Sequence, residues 1–174
     1  MMLKHLAQRF NQCGLELHPD KTKVVYCKDS NRKGQYSVTS FDFLGYTFQP
    51  RLVRSRDSKM FVSFTPAVSS SASKAMRDKI RQWKLKYRVE LSLEEIAVYC
   101  IPVLRGWMEY YGKYSPSSLE PVWTQFNAVL VKWGMRKYKK LRGKTRSAKM
   151  LESIQQKQPT LFPHWQIGIG KSFA

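Results

Sequence analysis

The stretch SLEEIAVYCIPVLRGWMEYYGKYS, residues 92–115, decides how the second half of this chain is read. Ser92 and Glu95 have the Ser-x-x-Glu form of a capping box, in which each side chain satisfies the other residue's free backbone N–H, so a helix should begin at Leu93. Pro102 lacks a backbone donor and crowds the preceding turn. The simplest reading ends one short helix near Cys100 and starts another with Pro102 in its first turn, running through VLRGWMEYY to about Tyr114.

Helical texture extends on both sides. Downstream, SPSS resets the chain, and Leu119, Val122, Trp123, Phe126, Leu130 and Trp133 repeat at the period of one long helix. Upstream, Met76, Ile80, Trp83 and Tyr87 form an apolar stripe, with Arg77, Arg81, Lys84 and Arg88 on an adjacent wet, cationic face. SSSAS before them is a hinge or a helix start. A boundary near residue 67 divides the chain into residues 1–66 and 67–155, with 156–174 as a tail.

The first part has a different pattern. Leu3, Leu6, Ala7 and Phe10 predict a short helix over 2–13, with Gly14 where a C-cap would sit. HPDKT is turn-like, VVYC (24–27) is typical of a strand, and DSNRKGQYSVTS is a loop. In FDFLGYTF (41–48), Phe41 and Phe43 alternate, then the phase shifts to Leu44, Tyr46 and Phe48. Gly45 sits at the shift, as a bulge or a close backbone approach would require. MFVSFT (60–65) alternates again after the basic connection PRLVRSRDSK. These segments predict an antiparallel sheet of about three strands, closed by Pro66. The expected fold class is α+β: an N-terminal helix and a small sheet, then an all-α helical bundle.

With 31 Lys and Arg against 12 Asp and Glu, the chain carries a formal charge of +19, which favours a polyanionic partner, nucleic acid first. Between Glu120 and Glu152 every charged residue is basic: Lys132, Arg136, Lys137, Lys139, Lys140, Arg142, Lys144, Arg146 and Lys149. A solvated helix face ordinarily mixes signs, because like charges four residues apart destabilise it. Unmixed charge suits phosphate contact. Trp107, Tyr110, Tyr111, Tyr114, Trp123, Trp133 and Tyr138 lie among these cations; exposed ones could stack on bases, although spacing assigns most to the core.

No run reaches the roughly 18 apolar residues of a spanning helix, and MMLKHLAQRF has no signal-peptide core, so a cytoplasmic, intracellular protein with no membrane partner is expected. Cys13, Cys27 and Cys100 form no CxxC pair, and His5, His18 and His164 are scattered. Glu94 and Glu95 are explained by capping. Asp20, Asp29, Asp42, Asp57 and Asp78 assemble no convincing two-metal set, so no catalytic or metal-binding residue is assigned.

In order, GLELHPDKTKVV, FDFLGYTF, SLEEIAVYCIPVLRGWMEYYGKYS and the Trp123-to-Arg142 helix resemble the C-terminal part of a group II intron reverse transcriptase/maturase. The resemblance implies that residues 1–66 are the end of a palm, with Lys21 near the incoming nucleotide's phosphates. It also implies a primer-grip hairpin at Phe43, Leu44, Gly45 and Tyr46. The helices resemble the thumb, or domain X, and Arg105, Gly106, Trp107, Tyr110 and Tyr111 match its most recognisable stretch. The implied partner is group II intron RNA, contacted by Arg77, Arg81, Lys84, Arg88, Arg105 and the cations from Lys132 to Arg146.

The fingers, most of the palm and the metal-holding Tyr-x-Asp-Asp motif should precede residue 1, so no cofactor is expected here and Mg2+ would belong to that missing palm. The leading expectation is an RNA-binding maturase module that does not polymerise DNA alone. The alternatives are one piece of a split reverse transcriptase and a mobile-element remnant. Strands without their palm neighbours would expose an edge, so self-association or a separate fingers and palm fragment is expected there.

Overall fold

The computed structural model describes residues 2–32, 34–55, 57–168 and Phe173. Its elements are α1 (Met2–Gln12), β1 (Phe41–Phe43), β2 (Tyr46–Arg54), β3 (Met60–Val68), α2 (Ser70–Gln82), α3 (Leu93–Tyr111), α4 (Glu120–Lys137), α5 (Lys144–Lys157) and α6 (Pro163–Gln166). Short 3-10 turns lie at Leu85–Tyr87, Pro116–Leu119 and Lys139–Leu141. The class is α+β, with one three-stranded antiparallel sheet in the order β1-β2-β3. By internal packing the chain divides into two units, residues 1–41 with 49–64 and residues 42–48 with 65–174.

In the first unit, α1 buries none of its residues. VVYC does not form the expected strand. It is held at Tyr26, whose N–H donates to Val38 O at 2.9 Å and whose ring meets Tyr36 at 4.3 Å. A strand needs a run of such bonds along an edge. Farther on, Asp29 Oδ1 accepts from the N–H groups of Asn31 and Arg32 at 2.9 Å each, closing a turn. Ser30 pairs with β3 through its N–H to Val62 O at 3.1 Å and Val62 N–H to its Oγ at 2.8 Å.

FDFLGYTF is two strands rather than one with a bulge. Leu44 and Gly45 have φ of 49° and 80°, and two consecutive positive values make the two-residue reversal that matches strand twist. The phase shift is the chain turning back on itself. Gly45 is needed for a second reason, since a Cβ there would stand 2.5 Å from Tyr111 Oη. β2 also absorbs Pro50–Arg54 from the expected connection, and Pro66 lies inside β3. Both prolines are tolerable because β3 is an edge and β1 stops at Phe43, leaving β2 a single sheet neighbour beyond Phe48.

The second unit ties this turn to α3. Tyr46, 8% exposed, donates its hydroxyl to Tyr110 O, one of the last carbonyls of α3, which have no partner within the helix. In return Tyr110 Oη donates to Leu44 O at 3.0 Å. Tyr111 and Tyr114 complete the cluster, with ring centroids 5.4 and 5.7 Å from Tyr46. Burial, then the neighbouring phenols, push the Tyr46 hydroxyl above its ordinary range.

The capping box forms as expected: Ser92 Oγ accepts from Glu95 N–H at 3.1 Å, and Glu95 Oε2 from Ser92 N–H at 2.6 Å. The break at Pro102 does not occur, and α3 runs unbroken to Tyr111. Pro102 and Val98, whose carbonyl loses its donor, are both exposed, so water reaches the orphaned group. The roughly 3 kcal/mol cost of an interior proline is outweighed by burial of Leu93, Ile96 and Leu104, worth roughly 1.5–3 kcal/mol each.

Met76, Ile80 and Trp83 are buried as their spacing predicts, but Tyr87 is not the fourth member of that stripe. α2 stops at Gln82, Lys84 takes φ of 51°, and Leu85 enters the core instead. α4 buries its whole apolar stripe and ends at Lys137 rather than Arg142. α5 crosses it so closely that a Cβ on Gly134 would lie 2.5 Å from Ser147 Oγ, which donates to Val131 O at 2.9 Å.

Phe162, Trp165 and Phe173 join the same core. His164 lies fully buried among them, its Nε2 2.9 Å from Asn127 Oδ1 and its ring stacked on Trp123 at 5.1 Å. Burial pushes the imidazole pKa down to about 3.

Two measurements follow from this packing. Tyr46→Phe removes the donor to the Tyr110 carbonyl and should lower unfolding free energy by about 1–3 kcal/mol; an unchanged urea midpoint would exclude the clamp. His164 stays neutral in the fold and takes a proton when unfolded, so stability is complete above about pH 6.5 and declines as pH falls towards 3. The decline should approach about 1.4 kcal/mol per pH unit, and His164→Gln should flatten it. Parallel pH profiles for the two proteins would rule this out.

Candidate nucleic-acid interface

Cations gather where α2 ends beside α4. Arg81 and Lys84 are exposed on one side and Lys132 on the other, around a cavity of about 590 Å3 whose floor includes the fully buried Ile80 and Leu85. Lys86 and Tyr87 supply the rim. Tyr87 is 54% exposed, with Lys86 Nζ 4.8 Å and the Arg136 guanidinium 4.5 Å from its ring centroid. The Lys86 hydrogen bond and charge, then the charges of Arg136 and Lys84, hold the Tyr87 hydroxyl below its ordinary range. Among the described residues of this cluster, Arg81 alone has a carboxylate partner, Asp78.

Further exposed cations follow α4 in the chain. Lys139, Lys140, Arg142, Lys144, Arg146 and Lys149 are all exposed. α5 starts at Gly143 without a side-chain cap, and its first turn has no acidic residue. Lys144 and Arg146 therefore sit at the positive end of the helix dipole, a placement that disfavours cations and favours an anion.

Other candidates are placed differently. Arg88 bends back, its Nε donating to Trp83 O at 3.4 Å and its guanidinium 5.3 Å from the Tyr99 ring. Lys137 Nζ donates to Val89 O at 3.0 Å and Leu91 O at 2.7 Å. Both side chains tie backbone together. Arg77 Nε donates to Ser73 O at 3.3 Å, and Arg105 is exposed on α3. Lys21 belongs to the first unit, where its backbone N–H donates to His18 Nδ1 at 3.3 Å. At the turn, Phe43 (59%) and Leu44 (67%) point into solvent beside a hollow of about 620 Å3 that Tyr110 and Tyr114 also line, while Tyr46 is buried.

Lys86 and the rim position of Tyr87 escaped sequence reading. Periodicity carried the helix through Tyr87, and the left-handed Lys84 that breaks it has no signature in residue type. Among the described residues, no three His, Cys, Asp or Glu side chains converge as metal ligands would, and no helix is long and apolar enough to cross a membrane.

Residues 73–151, from the start of α2 into the middle of α5, match the family model of the group II intron, maturase-specific domain. Over this span, a little less than half of the chain, the helices are similar to a maturase-specific domain. No curated protein and no solved structure matches the chain. The resemblance read from LRGWMEYY thus holds over the helices. Every candidate cation from Arg77 to Lys149 lies within the matched span, whereas Lys21 and residues 43–46 lie outside it.

The depressed Tyr87 hydroxyl reports on the cations around it. In a spectrophotometric pH titration, the component missing from Tyr87→Phe should titrate below about 10, the ordinary tyrosine value, and Arg136→Gln should move it up. A Tyr87 component at the ordinary value would show that the cluster is not electropositive.

Proposed function

We propose that the chain is an RNA-binding maturase module that acts within an intracellular ribonucleoprotein to help a group II intron RNA fold for splicing. The matched domain supports a maturase-related role. The observation that carries the RNA-binding part is the set of exposed cations Lys132, Arg136, Lys139, Lys140, Arg142, Lys144, Arg146 and Lys149, joined by Arg81, Lys84 and Lys86, with Asp78 as the one acidic partner among these described residues. Lys and Arg side chains left without carboxylates neutralise phosphates and release counterions when they bind. Such binding reads shape and charge rather than base sequence. No acid–base pair or nucleophile is needed, because the work is to hold RNA segments in place.

Binding to a structured intron RNA should weaken by at least about tenfold between 50 and 200 mM salt. The triple variant Lys139→Glu, Lys140→Glu, Arg142→Glu should weaken binding and flatten that dependence. Affinity indifferent to salt would sink the reading.

A second reading is favoured by the outward-facing Phe43 and Leu44 on a turn held by Tyr110. On this reading the chain is the C-terminal piece of a split RNA-directed DNA polymerase, and the turn grips a primer or docks a separate fingers and palm fragment. Co-expression with a fragment bearing Tyr-x-Asp-Asp would decide it, since RNA-templated DNA synthesis should require both pieces.

A further inference from the structure

We propose that the cavity between the end of α2 and α4 is a subsite for one unpaired nucleotide of the bound RNA, its base inserted against the apolar floor and its flanking phosphates held at the rim. The inference rests on the RNA-binding reading and sharpens it, because general phosphate contact needs only surface charge. This site has more. Its volume of about 590 Å3 falls inside the roughly 300–1,000 Å3 of small-molecule sites. Ile80 and Leu85 give it a dry floor, and Arg81, Lys84, Lys86 and Lys132 surround the mouth. An apolar base between two anionic phosphates has that same distribution of polarity.

The aromatic component is also present. The Arg136 guanidinium lies 4.5 Å from the Tyr87 ring centroid, and a planar guanidinium or a tyrosine is a surface on which unstacked bases settle. Charge complementarity argues against a protein helix as the occupant. The lining contains no acidic side chain, and an amphipathic peptide would have to be polyanionic to tolerate this rim. A base in a paired helix cannot enter, so a bulged or looped nucleotide, whose unstacking is already partly complete, is the chemical class selected.

The test compares three RNA hairpins that share one stem: fully paired, carrying one bulged nucleotide, and carrying an abasic residue at that bulge. The wild-type protein should bind the bulged hairpin on the order of tenfold more tightly than the other two, the scale of one base stacking on an aromatic side chain. Ala128→Phe, which fills the cavity wall, should abolish the preference and leave affinity for the paired hairpin unchanged. Tyr87→Leu, an exposed substitution that leaves the floor intact, should weaken the preference independently and covers the case in which the Phe variant fails to fold. Equal, salt-dependent binding of all three hairpins by the wild type would overturn the subsite and leave the RNA-binding reading standing. Failure to bind any of them at low salt would overturn both. A preference that survives in folded Ala128→Phe would also overturn the subsite, because the unpaired base would then be held elsewhere on the protein.

Discussion

The second unit depends on burying one stripe of α4. Trp123, Phe126, Leu130 and Trp133 are almost wholly withdrawn from water, and α2, the Leu85–Tyr87 turn, α5 and the Lys139–Leu141 turn all pack against that helix. Large aromatic side chains contribute most per residue to such a core. They also fix direction. Trp133 Nε1 donates to Arg88 O at 3.0 Å, so the loop after α2 is registered against the same helix that carries the exposed Lys132 and Arg136. Burial of the stripe is therefore what brings cations from separate parts of the chain onto one surface.

That surface carries an electrostatic cost, and the fold shows how the cost is held down. Lys137, the cation nearest the core side of the α4 terminus, donates to two backbone carbonyls, and Arg88 is folded onto a carbonyl and a ring. The remaining cations stay exposed, where water and salt screen their repulsion. Lys84 is the exception in conformation. It occupies the left-handed region, which disfavours a residue with a side chain, and by doing so it drops Leu85 into the core and leaves Tyr87 at the rim.

Legibility in the sequence followed the physics of each element. The α2 and α4 stripes and the Ser92–Glu95 capping box were readable because each is a local pattern with a fixed period or spacing. The Pro102 break was misread because proline's local penalty is visible in the sequence while the burial that outweighs it is tertiary. VVYC has strand-like residues but makes no ladder of bonds among the described residues, because pairing is not encoded by the segment itself. Arg88 and Lys137 could not be separated from the solvent-facing cations, because the carbonyls that hold them come from other parts of the chain.

The turn at Leu44 and Gly45 shows how a strained element is kept. A leucine at φ of 49° costs on the order of 1–2 kcal/mol relative to an ordinary conformation, and a glycine there would avoid it. The surroundings over-determine the shape: Tyr110 holds the Leu44 carbonyl, Tyr46 holds the Tyr110 carbonyl, and Ser69 N–H donates to Gly45 O at 2.8 Å. With three backbone carbonyls fixed, the Leu44 side chain has nowhere to go but outward. The tyrosines, Ser69 and a bond from Thr47 Oγ1 to the Asp42 carboxylate across the hairpin hold this turn, whereas the grip-like reading of FLGY comes from the resemblance of the sequence.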